Sequence, residues 1–178
     1  GGEPELLLDR LDRPLARLGG TIDADAVRLL AGAAMPLGWS GNLTEARALL
    51  DRLVDVLHGR RRFLQLPLPL ATSAWLARRR SRTEVALTDG TRAIELGTAA
   101  GAANDVRFAT AEVAHVEALQ GRLDACRSHV AALVPTGEPR GATQIGAVSA
   151  LAVGELLDDR PEAAVALLEP IQAQAGGA

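Results

Sequence analysis

The stretch Gly121-Arg-Leu-Asp-Ala-Cys126-Arg-Ser-His-Val130 decides the fold, because variants of it recur along the chain. A turn-forming residue opens it, an acidic residue follows in the first helical turn, and a small residue lies five positions after the start. The same order begins at Gly41, Ser81 and Asp159, with a period of about 40 residues. An acidic side chain near a helix N-terminus complements the helix dipole. The recurrence therefore predicts four similar helices, each entered through a tight turn.

Each of these outer helices is expected to pair with an inner helix that precedes it. Residues 105–120, for example, carry apolar side chains at mixed three- and four-residue spacing, which is typical of an amphipathic helix. Pro36 is expected to break the first inner helix near its end. The predicted inner helices span residues 23–37, 68–80, 105–120 and 142–157, and the outer helices span residues 44–58, 82–100, 123–134 and 162–174. The small residues expected at the contact between paired helices are Ala46, Ala86, Cys126 and Ala164.

The composition favours the same fold class. Apolar residues make up 48% of the chain and aromatic residues only 2%, and the abundant Ala and Leu have the highest helix propensities. We predict an all-α fold, an α-solenoid of about four antiparallel helix hairpins preceded by a capping helix within residues 1–20. The hairpins are expected over residues 22–62, 63–103, 104–139 and 140–178, in one domain that spans residues 1–178. Because the chain opens with Gly1-Gly2 and stops in an Ala- and Gly-rich stretch, we expect it to be a fragment of a larger protein.

The residue types exclude several kinds of chemistry. All basic residues are Arg, so the Lys that a phosphate-binding Walker A loop requires is absent. His58, His115 and His129 do not pair at metal-ligand spacing, and Cys126 has no second thiol. We therefore expect a non-catalytic protein without a cofactor or metal. The single cysteine and the lack of an apolar span or export signal indicate a cytoplasmic protein that has no membrane partner.

A segment similar to a nucleophile elbow and two arginine clusters both have ordinary structural explanations. Gly38-Trp-Ser-Gly41 is close to the nucleophile elbow of hydrolases, but a helix precedes it where that elbow needs a strand, so we interpret it as a turn. Two arginine clusters, residues 60–62 and residues 78–80 with Arg82, offer guanidinium groups that could bind phosphates. Both are predicted at helix C-termini, where cations complement the dipole, and the net charge is −3. A solvated edge is the preferred interpretation, and nucleic acid binding by this chain is not expected.

Several segments resemble one family of proteins. Leu66-Pro-Leu-Pro-Leu-Ala, Ile94-Glu-Leu with Ala99-Ala-Gly, residues 113–130 and residues 159–171 are similar to the tetratricopeptide-like repeat region of large ATP-binding LuxR-type transcriptional regulators, of the maltose-regulon-activator kind. The resemblance implies a repeat region that senses a protein or small-molecule effector and relays the signal, with self-association, to a DNA-binding module outside this chain. The alternative is a protein–protein interaction scaffold without a role in transcription. The Arg-rich, Lys-free composition is typical of a GC-rich genome such as that of an actinobacterium.

The candidate binding site follows from the 40-residue spacing. Six residues before each predicted turn lie Met35, Trp75, His115 and Val153, and in a tetratricopeptide-like arrangement this column faces the concave surface. We predict a groove lined by Met35, Trp75 and His115, with Phe108, Arg78 and Arg79 nearby. Trp75 and His115 are expected to lie one inter-hairpin step apart and to share a ligand. The alternative, for Met35 and Trp75 above all, is that these side chains fill gaps between helices rich in Ala and Leu.

Overall fold

The computed structural model describes residues 23–135 and 139–176, with side chains to residue 173. The described residues form eight α-helices and one short 3-10 turn at Phe63–Gln65, and they contain no strand, which confirms the all-α prediction. The predicted capping helix at residues 1–20 lies outside the described residues. The helices are α1 (Ala24–Trp39), α2 (Leu43–Gly59), α3 (Pro67–Arg79), α4 (Thr83–Ala100), α5 (Ala103–Leu119), α6 (Leu123–Leu133), α7 (Ala142–Leu157) and α8 (Pro161–Gly176).

The four predicted turns lie where the sequence places them, and each contains a residue in the left-handed conformation. The φ angle is +87° at Gly41, +56° at Ser81, +72° at Gly121 and +56° at Asp159. In each turn this residue donates its N–H to the carbonyl three positions earlier, and the next residue donates to the carbonyl five positions earlier. These two hydrogen bonds satisfy carbonyls that a helix end would otherwise leave unpaired.

The same turn also joins the successive helix pairs. Arg61 has a φ angle of +55° and Gly101 of +66°, and both make the same two hydrogen bonds. Left-handed residues with this bonding therefore recur about every 20 residues from Gly41 to Gly121, half of the period that the sequence repeat indicates. The 20-residue period appears in the backbone conformation and not in the residue type, because Ser81 and Arg61 adopt the left-handed conformation just as Gly41, Gly101 and Gly121 do.

One local prediction is wrong. Pro36 lies inside α1, which continues to Trp39 instead of ending at the proline. A proline inside a helix has no N–H to donate to the carbonyl four residues earlier, which here is that of Gly32. Both Gly32 and Pro36 are exposed, so water can satisfy that carbonyl, and the helix keeps its course to the turn.

The odd-numbered helices pack in a continuous row. α3 packs against α1 and α5, and α5 packs against α3 and α7. Each even-numbered helix packs against the odd-numbered helix before it, and α2, α4 and α6 also pack against the odd-numbered helix that follows. The residues in the predicted small positions, Ala46, Ala86, Cys126 and Ala164, are at most 1% exposed, which confirms that they are buried.

Polar contacts tie neighbouring helices together. Arg47 of α2 donates to Ser73 of α3 (3.0 Å), whose hydroxyl in turn donates to Asp89 of α4 (2.6 Å). Arg127 of α6 donates to the buried carboxylate of Glu155 on α7 (2.8 Å). None of the described helices is both long and apolar enough to cross a membrane.

Candidate functional site

A groove of about 450 Å³ runs across the row of odd-numbered helices. Every residue that lines it belongs to α1, α3, α5 or α7, the helices that the sequence predicts as inner ones. Its walls are mainly apolar, and its polar side chains are few. The lining residues are Met35, Trp39, Leu68, Trp75, Arg78, Phe108, Ala111, Glu112, His115, Ala142, Thr143 and Gly146.

The structure brings together most of the residues that the sequence selected as a site. Met35, Trp75, Arg78, Phe108 and His115 all line this groove. The sixth predicted residue, Arg79, is not among the lining residues. Its guanidinium lies over the indole of Trp75, 5.2 Å from the ring centroid, in a cation–π contact.

Trp75 contributes less surface to the groove than its predicted role of sharing a ligand with His115 requires. The residue is only 6% exposed, and its ring packs against Gly38 of α1. The alternative in which the indole fills a gap between helices therefore describes this ring, although Trp75 is still one of the residues that line the groove. The large exposed aromatic surface belongs instead to Trp39, which is 63% exposed and packs edge-on against Trp75 with centroids 6.0 Å apart.

Trp39 is a lining residue that sequence reasoning missed. It occurs in the Gly38-Trp-Ser-Gly41 segment, whose pattern indicates only a turn. The available signal was spacing, because Trp39 lies four residues after Met35 and so on the same face of α1. Ala111 and Glu112 could have been found in the same way, since they precede His115 by four and three residues.

An ion pair lies at the polar centre of the groove. The Nε of Arg78 donates to Oε2 of Glu112 at 2.7 Å, across the contact between α3 and α5. The side chain of Arg78 is 20% exposed and that of Glu112 is 6% exposed. Arg78 is therefore not part of a solvated edge, as its arginine cluster suggested, while Arg79, Arg80 and Arg82 are exposed.

His115 lies beside this pair. Its Nδ1 is 3.0 Å from the carbonyl oxygen of Ala111, so Nδ1 carries the proton and donates, and Nε2 is left as an acceptor. Burial, and next the positive charge of Arg78, lower the pKa of the His115 imidazole, although Glu112 and the Ala111 carbonyl act in the opposite direction. At neutral pH we expect a neutral ring.

A second, smaller cavity of about 240 Å³ continues from the same centre. Arg78 and His115 line both cavities. Val153, the fourth member of the predicted column, is among the residues of the smaller cavity, with Ala118, Leu119, Ser149 and Ala150. The whole predicted column thus borders one surface of the odd-numbered helices.

Comparisons with known proteins give no relative. No family model matches the chain, and neither the curated proteins nor the solved structures contain a match. Within the described residues no group of three or more His, Cys, Asp or Glu side chains is placed to hold a metal ion.

Proposed function

We propose that this chain is a tetratricopeptide-like solenoid that binds a ligand in the groove of its odd-numbered helices and catalyses no reaction. The continuous row of odd-numbered helices and the regular left-handed turns support the solenoid. In such stacks each repeat contacts mainly its neighbours, and the inner helices form an extended binding surface.

One observation carries the binding proposal. The four residues of the column predicted from the 40-residue period, Met35, Trp75, His115 and Val153, border two cavities that meet at Arg78 and His115. The larger cavity has the volume of ordinary small-molecule sites, about 300–1,000 Å³, and the mainly apolar lining with few polar groups that is typical of them.

The resemblance to LuxR-type regulators suggests the biological setting. We propose that ligand binding here is relayed to a DNA-binding module outside the chain, in a cytoplasmic regulator. The coding sequence on either side tests this: a Walker A segment before the repeats and a helix-turn-helix after them would support it. Flanking sequence without either module would favour the alternative, a protein-interaction scaffold.

A ligand-observed NMR screen tests binding itself. Gly146 lines the groove, and a Cβ built on it would be 3.7 Å from Cε1 of His115, so a Gly146→Leu variant should fill the space beside the imidazole. The matched control is Gly32→Leu, because residue 32 is an exposed helical glycine with open space around it. We expect compounds that bind wild type and the control but not Gly146→Leu. Compounds that bind all three proteins equally, or no binding at all, would contradict the proposal.

A further inference from the structure

The polar centre of the groove carries no net charge. Glu112 neutralises Arg78 through the 2.7 Å hydrogen bond. His115 is neutral because burial and the positive charge of Arg78 lower its pKa, and its Nδ1 proton is bonded to the Ala111 carbonyl. An anionic group placed here would lie near the Glu112 carboxylate, and a cationic group near the Arg78 guanidinium. Because unpaired charges are costly to desolvate, the centre favours an uncharged polar group.

Both hydrogen-bonding roles remain open at this centre. A guanidinium has five N–H donors, and the bond to Glu112 uses the one on Nε. Nε2 of His115 accepts no hydrogen bond from the described residues, and it is not among their fully buried unpartnered atoms, so it retains some solvent access. The centre therefore presents donors on α3 and one acceptor on α5, which complements a group with one carbonyl and one N–H.

The two cavities flank this centre with apolar surfaces of different size. On one side lie Met35, Trp39, Leu68 and Phe108, around about 450 Å³. On the other lie Ala118, Leu119, Ala150 and Val153, around about 240 Å³. A ligand that spans both would have a bulky apolar group on one side of its polar centre and a smaller apolar group on the other.

We infer that the groove takes a neutral amide-bearing ligand whose amide lies between Arg78 and His115, with a bulky apolar group in the larger cavity and a small one in the smaller cavity. This inference rests on the proposed binding function and deepens it. The chemistry is shared by an extended peptide segment and by a small amide, and the test below separates these sources.

The test compares two probes that differ only in the polar group. 3-Phenylpropanamide is neutral, and 3-phenylpropanoate carries a carboxylate at pH 7.5. Each is titrated into ¹⁵N-labelled protein while the two indole N–H signals are followed. We expect the amide to bind at least about 10-fold more tightly. In His115→Phe, which keeps a ring but loses the acceptor, the preference should fall to about 3-fold or less, and in Arg80→Gln, an exposed control on the same turn as Arg79, it should persist.

Equal or tighter binding of the carboxylate, or an unchanged preference in His115→Phe, would overturn the inference. So would failure of both probes when other compounds bind the groove in the screen, and in each of these cases the proposed function would stand. If no compound of any kind binds, the proposed function fails as well. A capped Phe-Gly-Val peptide amide distinguishes the sources: tighter binding than the single amide assigns the site to a peptide segment, and weaker or equal binding assigns it to a small amide.

Discussion

The six-membered ring of Trp75 lies directly against the backbone of Gly38, so that a Cβ atom on residue 38 would stand 2.6 Å from Cζ3 of the indole. This contact joins α1 to α3 and holds Trp75 in its buried position. The absence of a side chain at residue 38 is therefore a condition for the buried position of Trp75 and for its edge-on contact with Trp39.

Gly38→Ala should destabilise the protein by about 1–3 kcal/mol, because the rigid indole has to move to admit a methyl group. Gly32→Ala is the matched control on the same helix, where a Cβ meets nothing within 4 Å. Replacing an exposed helical glycine by alanine should stabilise by roughly 0.5–1 kcal/mol. Urea unfolding measures both changes, and a neutral or stabilising Gly38→Ala would show that the contact is looser than described.

The left-handed turns predict whether two further substitutions raise or lower the stability of the protein. Ser81 has a φ angle of +56°, a conformation that costs a side chain about 1–2 kcal/mol and costs glycine little. Ser81→Gly should therefore stabilise the protein, by up to about 1 kcal/mol after the extra freedom of glycine in the unfolded chain is subtracted. Gly121→Ala, at a φ angle of +72° in the equivalent turn, should destabilise by a similar amount. Thermal unfolding tests the pair, and changes of the same sign in both variants would refute the shared turn geometry.

The Arg78–Glu112 pair predicts strong coupling between its two partners. Arg78→Met should cost about 3 kcal/mol, because it leaves the Glu112 carboxylate buried without its partner. Adding Glu112→Leu should recover most of this loss, since replacing both members of a buried pair by apolar residues is often nearly neutral. Arg80→Met, at an exposed position beside the pair, is the control and should change stability by less than about 0.5 kcal/mol. Losses that simply add in the double variant would contradict the pairing.

Cys126 predicts a loss of stability at alkaline pH. Burial, and then the nearby carboxylates of Glu117 and Glu155, raise the pKa of this thiol from 9.0 to about 11. Between these values the unfolded chain loses the thiol proton while the folded chain keeps it, so the free energy of unfolding falls as the pH rises. The loss should reach about 2 kcal/mol at pH 11. The chain has no Tyr and no Lys, so few other groups titrate in this range.

Urea unfolding at intervals between pH 8 and pH 11 measures this slope. Cys126→Ala supplies the control, because it keeps a small apolar residue in the slot and removes the titrating group. Its unfolding free energy should be flatter over the same range, whatever its absolute value. Parallel curves for the two proteins would assign the alkaline loss to another group.

The positions of the helices could be predicted from the sequence, and so could the set of helices that lines the groove, because both depend on residue spacing. Turn formers at Gly41, Ser81, Gly121 and Asp159 set the period, and residues at equal offsets from them lie on one surface. The direction of individual side chains depends on their neighbours, which spacing does not define. Trp75 is buried because Gly38 leaves room for its ring. Arg78, unlike the other arginines of its cluster, is partly buried because its guanidinium pairs with Glu112 across the contact between α3 and α5.

The most direct test of the central claim is a map of binding on the backbone. ¹⁵N–¹H spectra are recorded while the strongest ligand from the screen is titrated into wild-type protein. We predict that the largest shift changes fall on α1, α3, α5 and α7, around Met35, Trp75, Phe108, His115 and Gly146, and that Gly146→Leu abolishes them. Changes concentrated on the even-numbered helices, or unaffected by Gly146→Leu, would contradict a ligand site in this groove.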